Sequence, residues 1–266
     1  MEGRTAVVTG AGSGIGRATS LLLASRGVNL ALADRAPEGM AGTAHRAALW
    51  GVEVSTHEVD VSVEEQMAAL PSQVAERHDA VHILVNNAGV TSAGLFSEES
   101  IEDLQWIVDI NLWGVVRGCR YFLPVLQAQD EAHIVNMSSM VGLLGLPRNA
   151  SYALTKGAVR SFTEALRGEL RSSGVGVTSV HPGAIRTAIT ESARGSDAQR
   201  IIEMGRKPMA DRVMRPPEVV ARRIVRAIER DRGRVVVGPD AKVLDLAARL
   251  APGRTALIGR TLDRFA

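Results

Sequence analysis

The stretch Thr9-Gly10-Ala11-Gly12-Ser13-Gly14-Ile15-Gly16 decides how the rest of this 266-residue chain is read. It follows the apolar, β-branched run Thr5–Thr9 and precedes residues whose apolar positions recur at helical spacing. Glycine at every second position permits a tight turn, lets backbone approach a diphosphate, and lets the next helix pack close to the strand. A glycine-rich turn by itself is a weak signal. This one gains weight from Asp34, eighteen residues beyond Gly16 and at the end of the second apolar run. A carboxylate placed there can accept hydrogen bonds from both hydroxyls of a ribose. Gly10, Ser13, Gly14, Ile15, Gly16 and Asp34 are therefore candidates for holding a dinucleotide.

Working outward, short β-branched runs alternate with helix-length segments. Thr5–Thr9, Val28–Ala33, Val52–His57, Val81–Asn86, His133–Met137, Val175–His181 and Arg234–Gly238 read as strands. Repeated strand–helix–strand order predicts an α/β fold: a doubly wound, Rossmann-like parallel sheet of about seven strands, with helices on both faces and one domain over residues 1–266. Two helices matter for chemistry. The first is expected over Ile101–Gln127, with Ser100 as its cap and Asp103 three residues on. The second is expected from Ser151 to Ser172, where Ser172-Ser173-Gly174 supplies a stop.

Composition narrows the function classes. Hydrophobic residues make up 45% of the chain, enough for a continuous core around a sheet. Net charge is only +2, from 31 basic and 29 acidic residues, so no footprint for nucleic acid is expected. No run approaches the length of a membrane span, and the start Met1-Glu2-Gly3-Arg4 lacks the pattern of a signal peptide, which predicts a cytoplasmic protein. The single cysteine, Cys119, reads as a small buried side chain. The segment Arg206–Arg234 is basic, with ten Lys or Arg against four Asp or Glu. Val220, Ile224 and Ile228 recur at helical spacing and Arg222, Arg223 and Arg226 fall outside that stripe, so a solvated helix face is the first reading and steering of an anionic substrate the second. The six histidines show no metal-ligand spacing, and no metal is expected.

Ligands of open parallel sheets bind outside the carboxyl ends of the strands, and the unusual residues collect there. Asp60-Val61 suits the edge of an adenine. Asn86-Asn87-Ala88-Gly89 offers small residues on which backbone can lie against a cofactor. Asp34 would repel a 2′-phosphate and favours NAD, whereas Arg35 can pair with that phosphate and keeps NADP in play. Tyr152 and Lys156, four apart on a helix, project from one face. A phenol titrates near ~10, and lowering that by about three units needs roughly 4 kcal/mol. One ammonium about 4 Å away supplies on the order of 4 kcal/mol at an effective dielectric near 20. Lys156 alone is therefore expected nearly to suffice to make Tyr152 a usable base at neutral pH, and the positive ring of a bound nicotinamide would add to it. His181, beside the groove but ahead of Pro182, reads as structural.

These residues resemble the short-chain dehydrogenase/reductase family: the Thr9-to-Gly16 turn, Asn86-to-Gly89, Asn111, Ser139, Tyr152-x-x-x-Lys156, and Pro182-Gly183 followed by Thr187. The resemblance covers roughly residues 4 to 190. It implies hydride transfer between a nicotinamide cofactor and a secondary alcohol or carbonyl. Tyr152 would be the acid/base, Ser139 would orient the substrate oxygen, Lys156 would depress the tyrosine and hold the nicotinamide ribose, and Asn111 would seat a water in a proton relay. Ser138 adjoins the site, but the thirteen-residue step to Tyr152 fits Ser139. Asn87, Ala88, Gly89, Pro182, Gly183, Ile185 and Thr187 would complete the cofactor contacts.

Beyond residue 190 the chain departs from the commonest family ending. Residues 188–215 are expected to form a lid over the substrate, with Met204, Met209 and Met214 as candidate walls, and 239–266 a divergent tail that packs on a neighbour or covers the site. A homodimer through the long helices is expected, with a tetramer open. Two other functions fit the sequence less well: a nicotinamide-sensing regulator without turnover, and an NADP-dependent carbonyl or acyl-thioester reductase.

Overall fold

The computed structural model describes residues 1–206 and 214–252. Seven strands, all parallel, lie in the order β3-β2-β1-β4-β5-β6-β7. They are β1 (Thr5–Thr9), β2 (Asn29–Asp34), β3 (Val54–Glu58), β4 (Ile83–Asn86), β5 (Ala132–Met137), β6 (Val175–Pro182) and β7 (Arg234–Val237). Every expected strand is present, with ends shifted by one or two residues. The sheet grows from β1 toward β3 and then, from β4, in the opposite direction. That reversal leaves a crevice between the carboxyl ends of β1 and β4.

Strand residues point alternately to the two faces, so each face has its own core. On one, Val7, Leu84 and Ile134 meet the helices α3 (Glu64–Ala75), α4 (Ile101–Val108), α5 (Gly114–Gln127) and α6 (Ala150–Glu169), through Leu70, Ile107, Phe122 and Val159. On the other, Val8, Leu32, Val85 and Val180 meet α1 (Gly14–Ala24), α2 (Pro37–Ala48) and α8 (Pro217–Glu229), through Leu23, Met40, Val220 and Ile224. α7 (Ala198–Arg206) precedes α8, and α9 (Pro239–Leu250) follows β7. The arginines of α8 form a solvated face: Arg222, Arg223 and Arg226 are exposed while the apolar stripe is buried.

The expected helix over 101–127 is not one uniform α-helix. Ser100 caps it through its hydroxyl, which accepts from the Asp103 amide at 3.0 Å. Its middle, Asp109–Trp113, widens into a π turn that carries Asn111. Such widened turns mark places where a helix gives up regular bonding to aim a side chain. The second helix starts at Ala150 and ends at Glu169, one residue ahead of and three short of the expected limits. Gly174, at φ +71°, turns the chain into β6. Among the described residues no helix is long and apolar enough to cross a membrane.

Candidate active site

A groove of about 560 Å³ runs along the carboxyl ends of the strands, from Asp34 and Arg35 at one end to Ser139, Tyr152 and Lys156 at the other. Its floor is the glycine turn. Gly10 sits at φ +65°, a left-handed conformation that side chains rarely tolerate, and a Cβ there would lie 2.9 Å from Ala88 Cα. A Cβ on Gly16 would lie 2.1 Å from the Gly10 carbonyl, so α1 packs this close to β1 only because no side chain intervenes. Ser13 precedes α1 without capping it, and the first turn carries no acidic residue. The leading amides of α1 are thus left for an anion.

The turn is braced from β4. Thr9 Oγ1 accepts from the amides of Asn87 and Ala88 at 3.0 and 3.1 Å. The Asn87 carboxamide donates back to the carbonyls of Thr9 and Gly10 at 3.0 and 3.1 Å. Asn87 therefore contributes to the groove as a brace, and Ala88 and Gly89 as wall. Asn86 points the other way, into the core. Thr9 and the Arg17 side chain, which ties the turn to α2 through Thr43 and the carbonyls of Gly12 and Gly39, were not read from the sequence. A threonine closing the strand just ahead of the glycines was the available signal.

Asp34 is fixed by its own backbone surroundings, Oδ2 accepting from Gly12 at 2.8 Å and Oδ1 from Ala36 at 3.0 Å. Arg35 lines the groove beside it, as do Asp60 and Val61. Asp60 accepts from the amide and hydroxyl of Ser62, at 2.9 and 2.6 Å.

At the opposite end the two serines after β5 part company. Ser138 Oγ donates to the Lys156 carbonyl at 2.7 Å and ties the turn to α6. Ser139 lies beside Tyr152 on the groove wall, close enough to favour the phenolate. Lys156 Nζ donates to the Met137 carbonyl at 3.0 Å and lies 5.8 Å from the centroid of the Tyr152 ring. The electrostatics correct the sequence-based expectation. Burial pushes the Tyr152 phenol up, opposed by Ser139, and pushes Lys156 itself down to about 8. Desolvation thus opposes the charged form of each.

Asn111 lies on the π turn. Its side chain is fully buried behind Gly89: Oδ1 accepts from the Val90 amide at 2.8 Å, and Nδ2 donates to the Val90 carbonyl at 2.9 Å and to Thr155 at 3.3 Å. With both ends of the carboxamide engaged, it holds the loop after β4. His181 is also behind the wall, bonded to Ser179 at 2.9 Å and to the Ser139 carbonyl at 3.2 Å.

The remaining wall comes from Pro182, Gly183, Ile185 and Thr187 after β6, and from Ala188, Ile189, Glu191 and Ser192 beyond. This last segment is strapped across the groove. Arg194 pairs with Ser92 in a parallel bridge, stacks over the Trp106 ring at 4.1 Å and bonds Asp103 at 3.2 Å, while Asp197 pairs with Arg148 at 2.6 Å. Met209 and the side chain of Met204 lie outside the described residues, as do 207–213 of the expected lid and 253–266 of the expected tail.

Comparison with known proteins agrees with this geometry. The sequence model of the short chain dehydrogenases matches residues 4–198. A putative oxidoreductase of Mycobacterium tuberculosis, SadH, is 40% identical over 254 residues, which cover 94% of this chain and 91% of that protein. The crystal structure of a short-chain dehydrogenase/reductase from Burkholderia phymatum in complex with NAD is 32% identical, covers 94% of each chain and superposes with a TM-score of 0.85. An alcohol dehydrogenase from Thermococcus sibiricus complexed with 5-hydroxy-NADP is 28% identical, with a TM-score of 0.77 over 88% of this chain and 95% of that one. The family match over residues 4–198 and a relative 40% identical over nearly all of both chains show that the chain belongs to the short-chain dehydrogenases/reductases.

Proposed function

We propose that this protein is an NAD-linked dehydrogenase or reductase of a secondary alcohol or ketone, with Tyr152 as acid and base. The observation that carries the reading is the placement of Ser139, Tyr152 and Lys156 together at one end of the groove whose floor is the glycine turn. When bound, the nicotinamide dinucleotide supplies the hydride acceptor or donor. The uncapped start of α1 with Ser13, Gly14, Ile15 and Gly16 suits its phosphates, Asp34 its adenosine ribose, Asp60 and Val61 its adenine, and Lys156 with Pro182–Thr187 its nicotinamide half.

Ser139 Oγ donates to the substrate oxygen and holds it against the Tyr152 hydroxyl. Tyr152 Oη takes the alcohol proton in oxidation and returns it in reduction. Burial opposes the phenolate, so the Lys156 cation and the positive charge of an oxidised nicotinamide together favour it. Lys156, pushed down to about 8, also exchanges its own proton readily near neutrality. Residues 188–206, the described part of the segment that follows β6, act as part of the substrate lid. Exposed Trp113 and Leu154 on the long-helix side support a homodimer formed there.

Asp34 favours NAD, since its carboxylate repels a 2′-phosphate. Arg35 at the same end of the groove favours a second reading, an NADP-dependent carbonyl reductase. Purified protein with NAD or NADP and a panel of secondary alcohols, followed by reduced-nicotinamide absorbance, separates the two. The expected result is a higher kcat/KM with NAD, and equal values with both cofactors overturn the Asp34 assignment. Tyr152→Phe is expected to lower kcat by about 10²- to 10⁴-fold with cofactor affinity retained. Turnover near the wild-type rate removes Tyr152 as the acid and base.

A further inference from the structure

The matched family region ends at residue 198, yet one residue far beyond it bonds the loop that walls the groove. Asp240 stands in the first turn of α9. Its Oδ2 accepts a hydrogen bond from the Ala184 amide at 2.7 Å. Ala184 lies in the loop that supplies Pro182, Gly183, Ile185 and Thr187 to the groove.

Two glycines shape the slot for this carboxylate. A Cβ on Gly183 would lie 2.1 Å from Asp240 Oδ2, and a Cβ on Gly238 would lie 2.2 Å from Oδ1. Gly238 also sits at φ +107°, which turns the end of β7 sharply into α9 and brings the carboxylate back over the loop. Backbone bonds also tie the loop: Gly183 donates to Val237 at 2.8 Å, Arg186 to Arg215 at 2.9 Å, and Arg215 to Ala184 at 3.0 Å. Asp240 is thus the one side chain, among the bonds described, that fixes the Gly183–Ala184 peptide. The loop it fixes runs on to Thr187, whose Cγ2 would be 3.0 Å from a Cβ on Gly14, so a shift at Ala184 is transmitted to the gap above the phosphate-binding turn. The same helix packs against the turn Met140–Gly142 that follows Ser139.

We propose that Asp240 is a positioning residue for the nicotinamide half of the cofactor: it holds Gly183–Ala184, and through them Ile185 and Thr187, at the height the ring requires. The proposal rests on the dinucleotide reading above. It assigns to the divergent end of the chain a part in building the site.

The test compares NAD with ADP-ribose, which lacks the nicotinamide, as ligands of wild type, Asp240→Ala and Asp240→Asn, by calorimetric titration. Asp240→Ala is expected to weaken NAD by about tenfold and ADP-ribose by less than about twofold. Asp240→Asn keeps an acceptor of the same shape and is expected to recover most of the loss. Equal weakening of both ligands by Asp240→Ala, or no weakening of either, overturns the positioning role. If Asp240→Ala does not fold, the same comparison is made on Asp240→Asn and on Gly183→Ala, whose methyl would displace the carboxylate; NAD affinity unchanged in both overturns the proposal. Wild-type protein that binds neither ligand overturns the cofactor reading and the proposal together, a result distinct from any change confined to the variants.

Discussion

Gly118 shows what a single atom decides in this core. It lies on α5 against Asn86, whose carboxamide donates to Asn136 Oδ1 at 2.9 Å and to the Cys119 sulfur at 3.4 Å. Asn136 in turn donates to Thr163 at 3.1 Å, so a buried polar network links β4, β5, α5 and α6 beneath the groove. Burial pushes the Cys119 thiol up to about 12, which keeps it an uncharged member of that network. In an exposed helix Gly→Ala gains about 1 kcal/mol of helix propensity. At Gly118 the new Cβ would sit 2.1 Å from Asn86 Oδ1, and the network cannot yield without losing hydrogen bonds. Overpacking costs about 1–3 kcal/mol and a broken buried hydrogen bond a similar amount, so the steric effect wins. Gly118→Ala is expected to lower the urea midpoint by an amount equivalent to roughly 2 kcal/mol; an unchanged or raised midpoint contradicts this packing.

At the scale of elements, the helix from Ile101 to Gln127 does two jobs that a uniform α-helix would not combine. Its ends pack on the sheet through Ile107, Phe122 and Leu126, while the π turn in its middle brings Asn111 under the loop after β4. Removing the Asn111 side chain leaves the buried amide and carbonyl of Val90 without their partners. Each such orphan costs about 1–3 kcal/mol. Asn111→Ala is therefore expected to destabilise the protein by about 2–4 kcal/mol and to raise hydrogen exchange at Val90 well above that of β4. Val90 protection equal to wild type would show that the loop holds without Asn111. The sequence showed Asn111 as a candidate but not this geometry. Helical periodicity is blind to a one-residue widening, which depends on the loop packed against it.

Over the whole molecule, acid stability follows from histidines buried as neutral rings. His133 and His181 are both pushed down to about 4, mainly by burial, despite Asp231 near the first and the Ser139 carbonyl on the second. Burial also lowers His57 and His78, which share the Ser55 hydroxyl at 2.8 and 2.9 Å. Because the folded values lie below the unfolded one of about 6.5, the unfolded chain binds more protons between pH ~4 and ~6.5. Stability is full above that window and is lost as pH falls through it. At pH 5 His133 and His181 are each expected to contribute a loss on the order of 2 kcal/mol relative to pH 8. Urea unfolding at the two pH values checks this, and equal free energies would mean that these rings are not buried neutral in solution.

The order of strands and helices, the glycine turn, Asp34 and the Ser139–Tyr152–Lys156 set were legible in the sequence because each is a local pattern: alternating or helical periodicity, glycine where backbone must turn or approach, and reactive side chains at fixed spacing on one helix or at one strand end. Choosing between Ser138 and Ser139 by spacing also led to the serine that meets the tyrosine. What only the tertiary structure decided concerns groups far apart in the chain. Desolvation raises the Tyr152 phenol and lowers Lys156, against the attraction that spacing alone suggests. Asn111 is taken up by Val90. Asp240, more than fifty residues past Ala184, meets it across the sheet edge. Local patterns are written by backbone geometry and side-chain periodicity, whereas burial and long-range hydrogen bonding exist only once distant segments share a dielectric and a wall.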